Sequence, residues 1–436
     1  MKLRPFELAL VVIFSLLALF ALILLTNYKP AADSNDALAE AIGKVTIWGT
    51  LPGEAMEGIL KELIATNEVY KNVTYVYHHA DDFDAKLITA LADNQGPDLI
   101  LVSNEKLVKM RKRIKPVSYD SFPIRDIRTM YVDGAQIFAL SDGLYGYPIA
   151  VDPLMMYWNR DILATAGYLE APKTWESLIN TYFPDLIQRD FDRTLQRSVV
   201  AMGEYGNIRN AFGVISTLLL QGGSQKVVEN SDSKYLVRLQ ATIGESGDPL
   251  RAAADFYTRF SKPSNTLYSW NRSLSEDRMR FISEDLALYF GYGSEGPQIE
   301  KINPNLNFDI AEVPQGSADT TRRTYGKFYA LSLLKSSDNI AGATAIMTNF
   351  GSAQLADKIA MASNMVPVYR DSVSTGSNDT YGRITYKSAS IALGWLNPDL
   401  AETDDIFEKM TQDINENRRT LEEAVADVTT RLESEY

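Results

Sequence analysis

The chain of 436 residues contains no cysteine and only two histidines, the neighbours His78 and His79. Without cysteine there is no disulfide framework, thiolate zinc site, iron–sulfur cluster or cysteine nucleophile. Two adjacent histidines on or just after a strand point to opposite faces and do not readily chelate one metal, so they read as structural. Positive charge is also scarce. Forty-three Lys and Arg stand against 56 Asp and Glu, a net charge of −13. That balance argues against a nucleic-acid partner, whose phosphates call for basic clusters. Neither a G-x-S-x-G nor a G-x-x-x-x-G-K-[ST] motif occurs, and no internal repeat or low-complexity tract is visible. No metal site and no cofactor is expected. The length suggests two or three domains, or one large one.

What is present begins with Leu8 to Leu25, an uncharged run whose one polar residue is Ser15. At about 1.5 Å per residue it spans about 27 Å, close to the hydrocarbon thickness of a bilayer. A cleaved signal peptide is the competing reading. Its apolar core is typically about 7–15 residues long, and here the first A-x-A triplet, Ala37-Leu38-Ala39, lies far downstream. The run is therefore expected to be a retained single-pass anchor. Lys2 and Arg4 before it place residues 1–7 in the cytoplasm and the remaining chain outside. Residues 26–43 read as a short polar linker.

Beyond the linker, Val45–Trp48, Val73–Tyr77 and Asp98–Val102 read as strands. Between them lie helical spacings at Met56, Ile59, Leu60 and Leu63, and at Phe83, Leu87, Ala90 and Leu91, with Asp81 or Asp82 as cap of the second. Strand and helix alternating in this way predict an α/β lobe with parallel pairing. The middle is richer in helix: one capped by Thr174, one along Ile208–Leu219 stopped by Gly222-Gly223, one along Leu250–Phe260. Strand patterns return at Phe308–Val313 and Phe328–Leu334. From Phe407 to Leu432 apolar residues recur at spacings of three, four and seven, an amphipathic helical region that packs on the body.

Three motifs invite functional readings. Gly291-Tyr-Gly-Ser-Glu-Gly296 matches G-x-G-x-x-G after an apolar run, but it sits mid-chain and Asn303-Pro304 cuts short the helix a dinucleotide needs. A glycine turn at a strand end, lining a cleft, is expected instead. Lys106–Lys115 is the one basic cluster and reads as a solvated helix face. Aromatics are the positive signal, with 23 Tyr and 5 Trp. Several flank glycines, as in Trp48-Gly49, Tyr145-Gly146-Tyr147, Gly291-Tyr292-Gly293 and Gly394-Trp395. Aromatic faces bury the apolar face of a sugar ring while polar groups bind its hydroxyl rim.

Asp142 to Leu178 carries a specific resemblance. Tyr145-Gly146-Tyr147-Pro148, Asp152, Tyr157-Trp158-Asn159-Arg160-Asp161, Ala166-Gly167 and Pro172–Glu176 closely resemble the central signature of the family 1 extracellular solute-binding proteins of ABC importers. Val45–Gly49, Lys86–Leu101, Phe281–Gly293 and Tyr329–Ala353 are similar to further passages of that family. The resemblance implies a two-lobe, periplasmic-binding-protein-like (type II) α/β fold with ligand held in the cleft between the lobes. Crossings between lobes are expected near Val151–Asp152, Val313 and Pro367. Lobe one would comprise residues 44–151 and 314–363, and lobe two 152–313 and 364–436.

Carried over residue by residue, the resemblance implies ligand contacts at Trp48, Thr50, Glu54, Ser103, Asn104, Asp152, Tyr292, Gly293, Tyr325 and Gly326, with Trp395 a candidate by region. The tryptophan that many sugar binders carry after the third strand is replaced by Ser103, which favours a smaller or differently oriented sugar. The family's lipid-bearing cysteine is missing, and the N-terminal helix stands in for it. The implied function is a monomeric, membrane-anchored receptor with no catalytic residue. It would bind a mono- or short oligosaccharide outside the cell and hand it to an ABC permease. Rival readings are the same fold binding a polyamine, metal chelate or peptide, a sensory or adhesive module without a transporter, and an extracellular glycosidase.

Overall fold

The computed structural model describes residues 39–192, 194–230, 232–242, 247–317 and 321–436. The expected anchor at 8–25, the tip at 1–7 and most of the linker lie outside the described residues. Among the described residues no helix is long and apolar enough to cross a membrane.

The first lobe is built as the alternation of periods predicts. Strands β1 (Val45–Gly49), β2 (Val73–Tyr77) and β3 (Leu99–Ser103) pair in parallel, with β1 central and Ile47 opposite both Tyr75 and Leu99. The crossovers are helices α1 (Gly53–Thr66) and α2 (Ala80–Ala92). Helix α1 buries Met56, Ile59, Leu60 and Leu63, one stripe at helical spacing. Helix α2 starts two or three residues earlier than its carboxylates suggest. Its N-cap is His79, and Asp81 and Asp82 lie in the first turn, where they favour the positive end of the helix dipole. All five residues of β3 are buried, as befits an inner strand covered on both faces.

The two lobes share one strand. β4 (Tyr147–Asn159) is 13 residues long, and every residue after its first is buried. Its leading half pairs with β8 (Thr324–Leu333), which in turn pairs with β3, and with the short strand Val366–Pro367. Its trailing half pairs on one side with β6 (Leu286–Tyr292) and on the other with β7 (Phe308–Glu312). Strand β5 (Leu195–Val200) extends the second lobe by parallel pairing with β6.

The change of partners is sharp. Pro153 is opposite Gly326 of the first lobe, and Leu154 is opposite Tyr292 of the second. The first crossing therefore lies at Asp152–Leu154, beside Val151. The second runs from the end of β7, through buried Val313, to Gly326. The third is the pair Val366–Pro367, opposite Val151 and Ala150.

Helices α3 (Ala211–Gln221) and α4 (Pro249–Thr258), with α5 (Gly296–Ile302) after β6, build up the second lobe. Helices α6 (Ile340–Phe350) and α7 (Ala353–Ala362) return to the first, and α8 (Thr380–Ile391) lies on β4 and β7. The C-terminal periodicity resolves into two helices, α9 (Leu400–Asn415) and α10 (Leu421–Glu435), packed on each other and on α4. A capping box between Thr420 and Glu423 starts the second. The spacing of seven from Ile414 to Leu421 bridges the break and hides it from a periodicity reading.

Candidate ligand-binding cleft

Strand alternation decides what faces the gap between the lobes. Along β8, Lys327 and Tyr329 line the gap, whereas Phe328 turns to the other side against Gly134. In register with Lys327 is Asp152, at the crossing point of β4. The turn after β1 adds Thr50, and the start of α1 adds Glu54, in its first turn, and Glu57; the turn after β6 adds Tyr292, Ser294 and Glu295. Together they enclose a cleft of about 800 Å³ with walls from both lobes and a floor at the crossing strands. Gly49 permits the turn on the first wall: a Cβ there would come within 2.7 Å of the Tyr75 hydroxyl and 3.0 Å of the Leu101 carbonyl.

The floor is polar and pre-ordered. Asp152 is 3% exposed, and its two oxygens accept the Ser294 backbone N–H at 3.0 Å and the Ser294 hydroxyl at 2.5 Å. Burial dominates over these bonds and pushes its pKa up to about 7. Glu295 accepts from Asn210 Nδ2 at 2.8 Å, the Tyr292 backbone N–H at 2.9 Å and the Tyr289 hydroxyl at 2.6 Å. The Lys327 ammonium lies 4.4 Å from the centre of the Tyr292 ring and 3.7 Å from Glu105 Oε2. The Tyr292 carbonyl accepts from Tyr157 at 2.6 Å.

The glycine motif is explained by the same bonds. A helix, α5, follows the glycines directly and, as expected, is cut short: it ends after seven residues with Asn303 as its C-cap. The amides that a pyrophosphate would need are already used: Tyr292 N–H donates to Glu295 and Ser294 N–H to Asp152. Two carboxylates occupy the place of an anion, so the turn orders the cleft floor.

Of the residues carried over from the resemblance, Thr50, Glu54, Asp152 and Tyr292 meet in this cleft. Gly293 lines an adjoining cavity of about 440 Å³ against α5 and α8. The others face elsewhere. The Trp48 ring is half-buried with its centre 4.3 Å from that of His78. Ser103 is buried with its hydroxyl 3.5 Å from Glu105. Asn104 is fully buried and its Oδ1 accepts the Phe328 N–H at 2.8 Å, tying β3 to β8. Tyr325 is fully buried and donates to Glu105 Oε1 at 2.9 Å; Gly326 pairs with Pro153. Trp395 is 2% exposed, donates to Ser216 Oγ at 3.0 Å and packs between Phe212 and Phe407.

Sequence reasoning missed Arg209, Asn210, Arg278, Ser294, Glu295, Gln298, Lys327 and Tyr329, all of which line the cleft. The strand pattern of Phe328–Leu334 contained the signal for Tyr329; the strand begins earlier, at Thr324, so Lys327 fell just outside the pattern. Arg209 stands at the start of the periodic stretch Ile208–Leu219, whose pattern marks the buried face and not a cation beside it, and Arg278 stands in a segment where no pattern was read. The basic cluster also differs from the expected solvated face. Lys106 and Lys109 pair with Asp84 at 2.7 and 2.9 Å, Lys109 with Asp399 at 2.6 Å, and Arg111 with Glu229 at 2.5 Å. Among the described residues no group of three or more metal-ligating side chains is placed to hold an ion.

Residues 52–183 match the family model of the bacterial extracellular solute-binding proteins. Solved structures carry the likeness over the rest of the solute-binding fold. The cyclic α-maltosyl-1,6-maltose binding protein of Arthrobacter globiformis aligns over 90% of this chain and 98% of its own, with a TM-score of 0.71 at 15% identity. The sugar-binding protein MalE of Xanthomonas citri aligns over 90% and 97%, with a TM-score of 0.70 at 16% identity. An ABC transporter solute-binding protein of Thermotoga lettingae, solved with α-D-tagatose, aligns over 90% and 99%, with a TM-score of 0.67 at 18% identity. The chain thus has the two-lobe α/β fold of periplasmic binding proteins. Among curated proteins no relative matches it.

Proposed function

We propose that this protein is an extracellular receptor, anchored by residues 8–25, that captures a carbohydrate between its lobes and delivers it to an ABC permease. The observation that carries the reading is the cleft of about 800 Å³ at the strand crossings, walled by both lobes. A ligand touching both walls binds the closed arrangement better than the open one and shifts the equilibrium towards it. Its polar floor suits hydroxyls: Asp152, Ser294 and Glu295 are held by bonds made before ligand arrives. Tyr329, half-buried in the cleft, supplies a ring for the apolar face of a sugar. The likeness to solved sugar-binding proteins supports the choice of ligand class. No bond is broken in this reading; binding and release are the whole task.

Thermal unfolding of the purified full-length chain against a panel of mono- and oligosaccharides tests it. A ligand at one hundred times its Kd adds about 2.7 kcal/mol of stability, which raises the midpoint measurably. Absence of any shift across the panel, with an intact cooperative transition, contradicts the proposal.

A further inference from the structure

The second-lobe wall of the cleft presents two arginines held by one buried carboxylate. Asp277 is 1% exposed, and its Oδ1 accepts the backbone N–H of both Arg209, at 3.0 Å, and Arg278, at 2.9 Å. The backbones of two residues 69 positions apart in sequence are thereby held at one carboxylate oxygen. Both line the cleft.

Neither guanidinium has a close carboxylate partner. Arg209 Nη1 stands 3.6 Å from Glu276 Oε1, and Arg278 Nη1 stands 3.9 Å from Glu295 Oε2 and 3.4 Å from Gln298 Oε1. Charge-assisted bonds are normally about 2.7–2.9 Å. The oxygens of Glu295 are taken by three shorter donors, Asn210, Tyr289 and the Tyr292 amide. Arg278 Nε is buried without a hydrogen-bond partner. The other basic group of the cleft, Lys327, sits over Tyr292 beside Glu105 and does not compete for the same place. On the opposite wall Glu54 and Glu57 are exposed.

We infer that the solute bears an anionic substituent, a carboxylate or phosphate on a sugar, which the Arg209–Arg278 pair grips. A guanidinium offers a planar fork that matches either group bidentately, and two lining one cleft favour an anion over a hydroxyl. Hydroxyls of the same solute fall to Asp152 on the floor and Glu54 on the facing wall. This inference rests on the carbohydrate reading above and narrows it.

Isothermal titration of the full-length chain with matched sets tests it: neutral sugars, the corresponding uronates, and the corresponding sugar phosphates. Preference for an acidic member over its neutral partner by about ten-fold or more, weakening with added salt, is the expected result. Whether uronate or phosphate leads identifies the group. Arg278→Gln and Arg209→Gln each reduce that preference, and Arg278→Lys retains part of it, keeping charge without the fork. Equal or tighter binding of neutral sugars would show that the arginines meet Glu54 and Glu57 on closure, and overturns the inference while leaving the receptor reading intact. Failure of every sugar, neutral and acidic, overturns both.

Discussion

Asp152 stands where the chain first crosses between lobes, and its environment makes it a pH-sensitive residue. Burial raises its pKa from 3.8 to about 7. Between these values the folded state holds a proton that the unfolded state has lost. Stability from this group is therefore full below about 4 and declines as pH rises towards 7. Asp277, raised to about 7 by the same cause, acts in the same direction. Replacing Asp152 by Asn removes one of the two contributions. Denaturant unfolding of Asp152→Asn is expected to show a gain of about 4 kcal/mol at pH 8 relative to pH 4, measured against wild type. An unchanged pH profile would show that Asp152 ionises normally in the fold.

Trp395 illustrates why residues in a site are harder to read than strands. Its glycine neighbour and its region in the chain marked it as a sugar platform, but its ring is spent on Phe212, Phe407 and Ser216. Trp48 is likewise engaged with His78. Composition reports that aromatics are plentiful, not which ring keeps a free face. Trp395→Ala is expected to lower stability by about 3–5 kcal/mol through a core cavity, while the folded protein still binds its ligand, as urea unfolding and titration will show.

At the scale of elements, one hairpin fastens the lobes together away from the cleft. Its strands Ser224–Glu229 and Tyr235–Thr242 pack on α3, α4 and α10 of the second lobe. Its tip reaches the first lobe, where Glu229 meets Arg111 at 2.5 Å and accepts the Ser141 amide at 2.8 Å, and Arg111 donates to Tyr235 at 2.9 Å. Arg111 also pairs with Asp142 at 3.0 Å. With side-chain exposures of 12% and 7%, the Arg111–Glu229 pair is shielded from water. Removing one partner leaves the other buried and unpaired, at a cost of about 3 kcal/mol. Arg111→Ala is expected to lower the unfolding midpoint accordingly and to widen the ligand-free molecule in small-angle scattering. Unchanged dimensions would mean that the hairpin does not restrain the lobes. The sequence showed Lys106–Lys115 as a basic run because the acids that neutralise it, Asp84, Asp142, Glu229 and Asp399, are remote along the chain.

For the whole molecule, the α/β pattern of the first lobe was legible because local periodicity and crossover length suffice to define parallel β-α-β units. The return of strand patterns after residue 308 was legible too. What it meant, two lobes sharing β4, came from the resemblance around Tyr145–Glu176 and not from periodicity. A strand 13 residues long with almost every residue buried shows no alternation, so its change of partners at Pro153–Leu154 leaves no trace in hydropathy. The break between α9 and α10 was masked for a similar reason. The central claim is that solute bridges the two walls and closes them. Small-angle scattering of the full-length chain, with and without the sugar giving the largest thermal shift, tests it most directly. A smaller radius of gyration on binding, abolished in a protein carrying Tyr292→Ala and Asp152→Ala, is the predicted result. Tight binding with no change in dimensions would contradict it.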